Sequence, residues 1–542
     1  MKGSWLSISL LWGLAFGTLE AAFSTRVNHV YPVGTGHVLL VLVFTLGFTV
    51  IACVAGGLAA VMSRQQRSGT STNGGSVLPL LAGPWLLSLI LAVSLYRDRI
   101  NDHPNTTGGL VMTIVVVVVM IVLLAVFTRW LRGQHHGLQR VLLGLGTLLF
   151  LGTGVCLFTA RAVPPPSKSE STVTVEQVGG VQDTGLRVLL VGLDGGTWQV
   201  MDRLLAEGRL PAHAAVMARG LSADLKVPLP SYSPPLWTSI ASSRTADEHG
   251  IHDHIRTAPP FGLPTAPFQV KHFDHLTKVT KLATRRIDKY FPFRPVFALN
   301  QDVFVRRLWD ILDPYGYPSL VVDWYVTYPA QPGLGIMVSD HLHLHKDDAL
   351  EMPGLVYPES LTARFARHIH DPEDIPEDHL FSFLDAADLN AAGRTALRKV
   401  HPEWFSVISK EMARDLTALD VCREALPLLP EWRFGGVYFR AMDNIHHMTW
   451  HLQDLAGEDL DQYPKRRFRT AVDLYYDYCD SLLAGMMELV DLADEQTVVI
   501  VMSDHGWENT RYGHSRAPDG FFIMAGGPTI VSGERQEIHI YD

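Results

Sequence analysis

The feature that most limits how this chain can fold is the unbroken apolar run Val498-Val499-Ile500-Val501-Met502, closely followed by Asp504-His505-Gly506. Five apolar residues with no polar alternation, most of them β-branched, do not suit a strand with one wet face. They read as a strand buried on both sides, inside a sheet covered by helices. Such strands carry their chemistry at their carboxyl ends, in the crevice above the sheet. A carboxylate, an imidazole and a glycine at that point suit a metal site. The dipeptide alone is weak, since Asp-His also occurs at Asp102, Asp253, Asp274, Asp340 and Asp378.

The pattern recurs along the chain. Arg187-Val188-Leu189-Leu190-Val191-Gly192-Leu193 is a second buried-strand run, and it delivers Asp194-Gly195-Gly196. Gly436-Val437-Tyr438-Phe439-Arg440 leads to Asp443 and, four residues on, His447; His514 follows His505 by nine residues in a Gly-flanked loop. Between the first strand and the rest lies Ser231-Tyr232-Ser233-Pro234-Pro235-Leu236-Trp237-Thr238-Ser239, followed by His249-Gly250-Ile251. Oxygen and imidazole ligands at three strand ends suit two divalent ions, with zinc the first choice and manganese the second.

The order Asp194, Ser233, Asp443-x-x-x-His447, Asp504-His505, His514 resembles the alkaline phosphatase superfamily, in particular its type I phosphodiesterase/nucleotide pyrophosphatase branch. The resemblance runs over roughly residues 186 to 542, with a poorly matched stretch between about 255 and 435. Any one motif is weak; the ordered set is specific. The resemblance implies that Asp194, Asp504 and His505 hold one metal together with the nucleophile oxygen. Asp443, His447 and His514 would hold the other, and Ser233 takes the nucleophile position. A serine hydroxyl attacks poorly at neutral pH unless a base or metal favours its alkoxide. Two metals about 4 Å apart stabilise both the attacking and leaving oxygens of an in-line displacement. They also offset phosphoryl charge, where electrostatic stabilisation supplies most of the catalysis.

Each residue also has a plain structural reading. Asp194 before two glycines suits a βα turn, and Asp443 suits a helix N-cap. His447 reads as a surface histidine, with adjacent His446 its rival as ligand, and Ser231 rivals Ser233. The shared order at three strand ends favours the metal site. A competitor is Gly335-Ile336-Met337-Val338-Ser339-Asp340-His341, with His343 and His345 following at alternate positions. In an extended segment these three imidazoles would share one face. No glycine follows Asp340, so the segment reads instead as a solvated strand edge; His249, His252 and His254 read as structural.

Two departures from the family stand out. Relatives in the phosphodiesterase branch place Asn three residues after the nucleophile, to help hold the phosphoryl group; here Leu236 stands there, followed by Trp237. Phosphoryl stabilisation must then come from the metals, backbone N–H groups or a side chain of the middle insertion. Relatives also continue with a further helix beyond the segment corresponding to Ile538-His539-Ile540-Tyr541-Asp542, so the edge of the fold is expected to be cut short.

Composition divides the chain. Residues 1–168 hold eleven Lys/Arg and three Asp/Glu, the remainder 34 and 52, a balance of −18 for the latter. So acidic a body argues against a nucleic-acid partner, which would want a basic stripe. The four cysteines, Cys53, Cys156, Cys422 and Cys479, give no disulfide framework. Val38–Met62, Val77–Tyr96, Leu110–Phe127 and Val141–Ala160 are apolar runs long enough, or nearly so, to span a bilayer of about 30 Å. Trp5–Phe23, interrupted by Glu20, is either a fifth span or a signal sequence. Both readings leave the body on the extracytoplasmic side. The loop charges, six basic residues inside against five outside, add little to that topology. A linker, stiff at Pro164-Pro165-Pro166 and flexible to Asp183, follows the membrane region of residues 1–163.

The body, residues 184–542, alternates strands with helical segments such as Thr197–Glu207 and Arg469–Leu492. That predicts an α/β fold, a mainly parallel sheet sandwiched by helices. Residues 255–435 are expected as a cap over the strand ends, and the aromatics of Asp323-Trp324-Tyr325-Val326-Thr327-Tyr328-Pro329 either line a substrate pocket or pack cap on sheet. The expected activity is a membrane-anchored, metal-dependent phosphoryl-transfer hydrolase acting on a phosphate ester, lipid- or glycan-linked in one version. One alternative is a transferase resembling lipoteichoic acid synthases and phosphoethanolamine transferases, passing the group to a lipid or glycan hydroxyl. Another is a catalytically dead scaffold, which the full ligand set argues against.

Overall fold

The computed structural model describes residues 183–229, 231–258, 268–269, 294–453, 464–507, 517, 519–529 and 531–542, besides Leu14 and Leu46. Apart from Leu14 and Leu46, the expected spans lie outside the described residues, as do His514 and all but the end of the linker. Among the described residues no helix is long and apolar enough to cross a membrane. Residues 183–254 and 298–542 lie in one compact unit; residues 255–297 belong to another.

In chain order the first unit opens with β1 (Arg187–Leu193), α1 (Trp198–Ala206), α2 (Pro211–Met217), β2 (Gly220–Lys226) and α3 (Ser233–Ser242). The other unit contributes β3 (Ile255–Ala258), β4 (Phe268–Gln269) and β5 (Arg294–Phe297), an antiparallel sheet of order β4-β3-β5. The first unit resumes with β6 (Ser319–Val322), β7 (Ile336–Val338), β8 (Val356–Tyr357), α4 (Pro402–Ala425), β9 (Phe434–Phe439) and α5 (Ala441–Thr449). It closes with α6 (Ala471–Met487), β10 (Thr497–Met502), β11 (Gly520–Gly526) and β12 (Gln536–His539). Thr197 and Glu207, the ends of the first expected helix, are the N-cap and C-cap of α1.

The nine-stranded sheet has the order β12-β2-β11-β10-β1-β9-β6-β7-β8. Five consecutive strands, β10, β1, β9, β6 and β7, are all parallel. β11 and β8 run against their neighbours, and β12 pairs parallel to β2 at one edge. The stretch expected as a cap therefore supplies sheet. β6, β7 and β8 all fall within residues 255–435, because Leu320-Val321-Val322 and Ile336-Met337-Val338 are apolar runs of the same both-faces-buried kind as β1 and β10.

Alternation along the strands splits the core in two. Leu189, Val191, Val437, Phe439, Val499 and Val501 pack with α1, α2, α4, α5 and α6. Leu190, Tyr438, Met502 and Phe434 pack on the other face with Trp237 of α3 and Trp324. Gly192 sits where a Cβ would come within 2.6 Å of the Trp237 ring, so the indole lies flush against β1 only because no side chain intervenes.

Candidate active site

Parallel register brings the site together. Leu193 is level with Phe439 and Gly192 with Met502, so three neighbouring strands stop at the same height. Asp194 leaves β1 with its N–H bonded to the Phe439 carbonyl, and Ser503-Asp504-His505 leave β10 alongside. Gly195, at φ +73°, turns the chain next to α5; a Cβ there would lie 3.3 Å from the Asp443 Cα. That close approach sets Asp443, in the first turn of α5, beside Asp194. One potential ligand atom each from Asp194, Asp443 and His505 lie within 4.8 Å of one another, and all three residues are buried.

Ser233 is the first residue of α3. Pro235 and Pro234 suit such a start, where a missing N–H costs nothing and a fixed φ is helical. The start of α3 faces the strand ends, and Ser233 Oγ donates to Asp194 Oδ1 at 3.1 Å and lies 3.2 Å from His505 Nε2. Asp194 Oδ2 accepts from the Tyr438 hydroxyl, so both of its oxygens are engaged.

His505 Nδ1 lies 2.8 Å from the Gly506 carbonyl, an acceptor, which places the proton on Nδ1 and the lone pair on Nε2. Burial holds the imidazole below its usual pKa, in the neutral form. That lone pair faces Asp504 Oδ2 at 3.4 Å and Asp194 Oδ1 at 3.5 Å. Burial, then the charges of Asp194 and Asp443, push the Asp504 carboxyl well above its normal range, although Gly195 N–H donates to its Oδ1. Asp504 Oδ2 is sealed from solvent with no hydrogen-bond donor among the described residues. An imidazole lone pair, an orphaned carboxylate oxygen and crowded carboxylates aimed at one point repel one another unless a cation lies between them. The donor set fits a divalent ion.

α5 separates its two histidines. His447, one turn beyond Asp443, places Nε2 3.4 Å from Asp443 Oδ2. Burial opposes its charge, but Asp443 outweighs this and raises its pKa. His446 points into the core against Trp450, Tyr476 and Trp507, where burial drives its pKa down to about 3. Of the remaining sequence candidates, the structure thus brings together Asp194, Ser233, Asp504 and His505 with Asp443, and puts His447 at Asp443; His514 is outside the described residues.

The rival imidazole row is not extended. Leu342–Leu344 form a 3-10 turn, His341 stacks on Tyr328, His343 Nδ1 sits 3.7 Å from Asp323, and His345 meets Asp348 at 2.9 Å. Asp340 accepts the N–H groups of Val326, Thr327 and Tyr328, so it braces the loop after β6. His249 is structural: buried, with Nε2 3.2 Å from Ser239 Oγ and Nδ1 accepting from Ile251 N–H. Tyr438 was missed in the sequence. Its place two residues before Arg440, on the strand that leads to Asp443, was the available signal, but a strand tyrosine ordinarily reads as packing.

Carboxylates, imidazoles and a hydroxyl gathered where parallel strands end define an α/β protein with a buried candidate metal site. The chain belongs to the type I phosphodiesterase / nucleotide pyrophosphatase family, whose model matches residues 188–540. Among solved structures, phosphonoacetate hydrolase from Sinorhizobium meliloti 1021 in complex with phosphonoformate is 15% identical, over 59% of this chain and 56% of its own, with a TM-score of 0.31. Murine ectonucleotide pyrophosphatase / phosphodiesterase 5 is 14% identical, over 59% of this chain and 57% of its own, with a TM-score of 0.29. The chain spans a little over half the length of these two. No curated protein matches it.

Proposed function

We propose that the chain is a metal-dependent phosphoric ester hydrolase of phosphodiesterase type, working through a covalent phosphoryl-Ser233 intermediate. Its N-terminal apolar segments anchor it in a membrane, with the body on the extracytoplasmic side. The observation that carries the reading is the Ser233 hydroxyl, buried at the start of α3 between Asp194 Oδ1 and His505 Nε2. Asp194, Asp504, His505 and the Ser233 oxygen would hold one divalent ion, zinc by preference, and Asp443, His447 and His514 a second. Bound there, such ions neutralise phosphoryl charge and favour the ionised serine.

The protein's own part is positioning. The Tyr438 hydroxyl fixes Asp194, and Asp194 fixes the Ser233 proton on the line to Oδ1. In the first step the Oγ–P bond forms, the bond from phosphorus to the leaving oxygen breaks, and the serine proton passes by way of Asp194 to the leaving oxygen. In the second, water attacks phosphorus, the Oγ–P bond breaks, and a proton of the water returns to the serine oxygen by the same carboxylate.

Ser233→Ala removes the covalent route, so hydrolysis of an aryl phosphodiester should fall by orders of magnitude. Ser233→Thr should keep part of the activity and Ser231→Ala nearly all of it. Mass spectrometry of protein quenched during turnover should map the phosphoryl group to Ser233. Full activity in Ser233→Ala, or phosphate on Ser231, would overturn the assignment.

A further inference from the structure

The position expected to carry a phosphoryl-holding Asn is Leu236, which is buried against the apolar face of the sheet. Beyond Ser233 itself, the first turn of α3 has no free backbone donor to replace it. Pro234 and Pro235 have no N–H, and the Leu236 N–H is committed to the Tyr232 carbonyl at 3.2 Å. Something else must face the anion.

Arg440 has the place and the chemistry. It follows Phe439, which is level with Leu193, so it stands one strand away from Asp194 at the same height. Adjacent strands lie about 4.8 Å apart. Its guanidinium lies 5.5 Å over the ring of Tyr325, and Tyr325 packs on Tyr438, whose hydroxyl holds Asp194. Tyr325 and Tyr438 belong to the sheet face covered by Trp237 of α3, so Arg440 lies on the face from which Ser233 approaches.

Its neighbours leave its charge unanswered. Arg414, the nearby cation, is neutralised by Asp323 through two bonds of 2.6 and 3.0 Å. Glu411 accepts from Asn444 at 2.8 Å, and burial raises its pKa toward the neutral form. Arg440 makes no hydrogen bond or ion pair with the described residues, and its Nε is sealed from solvent. A shielded guanidinium without an acceptor is costly unless an anion completes it, and its planar fork matches two phosphoryl oxygens.

We propose that Arg440 binds the non-bridging oxygens of the phosphoryl group held at Ser233, in the role that Leu236 cannot fill. The inference rests on the reading of the site as a phosphoryl-transfer centre. The test uses the full-length protein loaded with zinc and titrated with inorganic phosphate, both calorimetrically and as an inhibitor of aryl phosphodiester hydrolysis. Loss of a charge-assisted hydrogen bond should weaken phosphate binding by about 10- to 100-fold in Arg440→Ala. Arg440→Gln, which retains the length of the stem, should lose a similar factor, and Arg440→Lys less. Zinc content should stay the same in all three. If Arg440→Gln binds phosphate as tightly as the unaltered protein, the inference is wrong and the proposed function stands. If the unaltered protein neither binds phosphate nor cleaves the ester, both fall.

Discussion

At the scale of the residue, the centre is an electrostatic problem solved by a missing charge. Asp194, Asp443 and Asp504 crowd around a neutral imidazole, and burial together with mutual repulsion raises the Asp504 carboxyl far above normal. A divalent ion removes the repulsion. Asp504→Asn leaves a single neutral carbonyl oxygen for that ion at residue 504 with little change in side-chain size, so elemental analysis should find less zinc per chain than in the unaltered protein. The apo form, by contrast, should gain thermal stability, because a neutral amide relieves the repulsion. A full zinc complement together with an unchanged apo melting temperature would refute this account of the site. The sequence supplied every one of these carboxylates, since each follows an apolar run. It did not supply Tyr438, whose hydroxyl reaches Asp194 only because β1 and β9 are neighbours in space.

At the scale of the element, α2 shows how a helix is pinned from a distance. Pro211 opens it, and no side chain of its own caps it. The cap comes from α6: Asp480 accepts from Ala212 N–H at 3.0 Å, His213 N–H at 2.9 Å and His213 Nδ1 at 2.7 Å. Burial works against ionisation of Asp480, but the His213 side chain and these two amides outweigh it and depress its pKa. The carboxylate is therefore better stabilised folded than unfolded. Its contribution is present above the unfolded value of about 4 and is lost as pH falls through the lower folded one. Asp480→Asn should lower unfolding stability by about 1–3 kcal/mol near pH 7, and the gap should narrow on acidification below about pH 4. Chemical denaturation at several pH values measures both; a gap that widens in acid would contradict the linkage.

At the scale of the whole molecule, the proposed membrane anchoring carries a prediction about the side on which the body lies. The apolar segments that motivate a five-span or signal-plus-four-span topology precede residue 164, and both versions put the body outside the cytoplasm. A single cysteine introduced at Ser169, in a background with the four native cysteines replaced, should react with a membrane-impermeant maleimide added to intact cells. Labelling only after the membrane is broken would place the body inside and remove the case for an external phosphate ester. The surface charge of the body, 34 basic residues against 52 acidic beyond residue 168, is compatible with such exposure but does not choose the side.

The sequence by itself determined the strands and the residues at their ends. Runs such as Val498–Met502 and Val188–Val191 have a single stable use, burial on both faces, and the polar residue that breaks each run is delivered to the sheet's carboxyl edge. Tertiary structure alone decided what meets across that edge. Strand order set β9 beside β1, so that Arg440 came level with Asp194 and Tyr438 reached its carboxylate. It drew β6, β7 and β8 out of the expected cap and into the sheet. It also turned His446 into an aromatic core and His447 toward Asp443, a choice between adjacent residues that the spacing left open. Local pattern fixes which face of an element is apolar, because period and burial are properties of neighbours in the chain. Pairing between strands far apart in sequence depends on how all the apolar faces can be buried at once, and no local window holds that information.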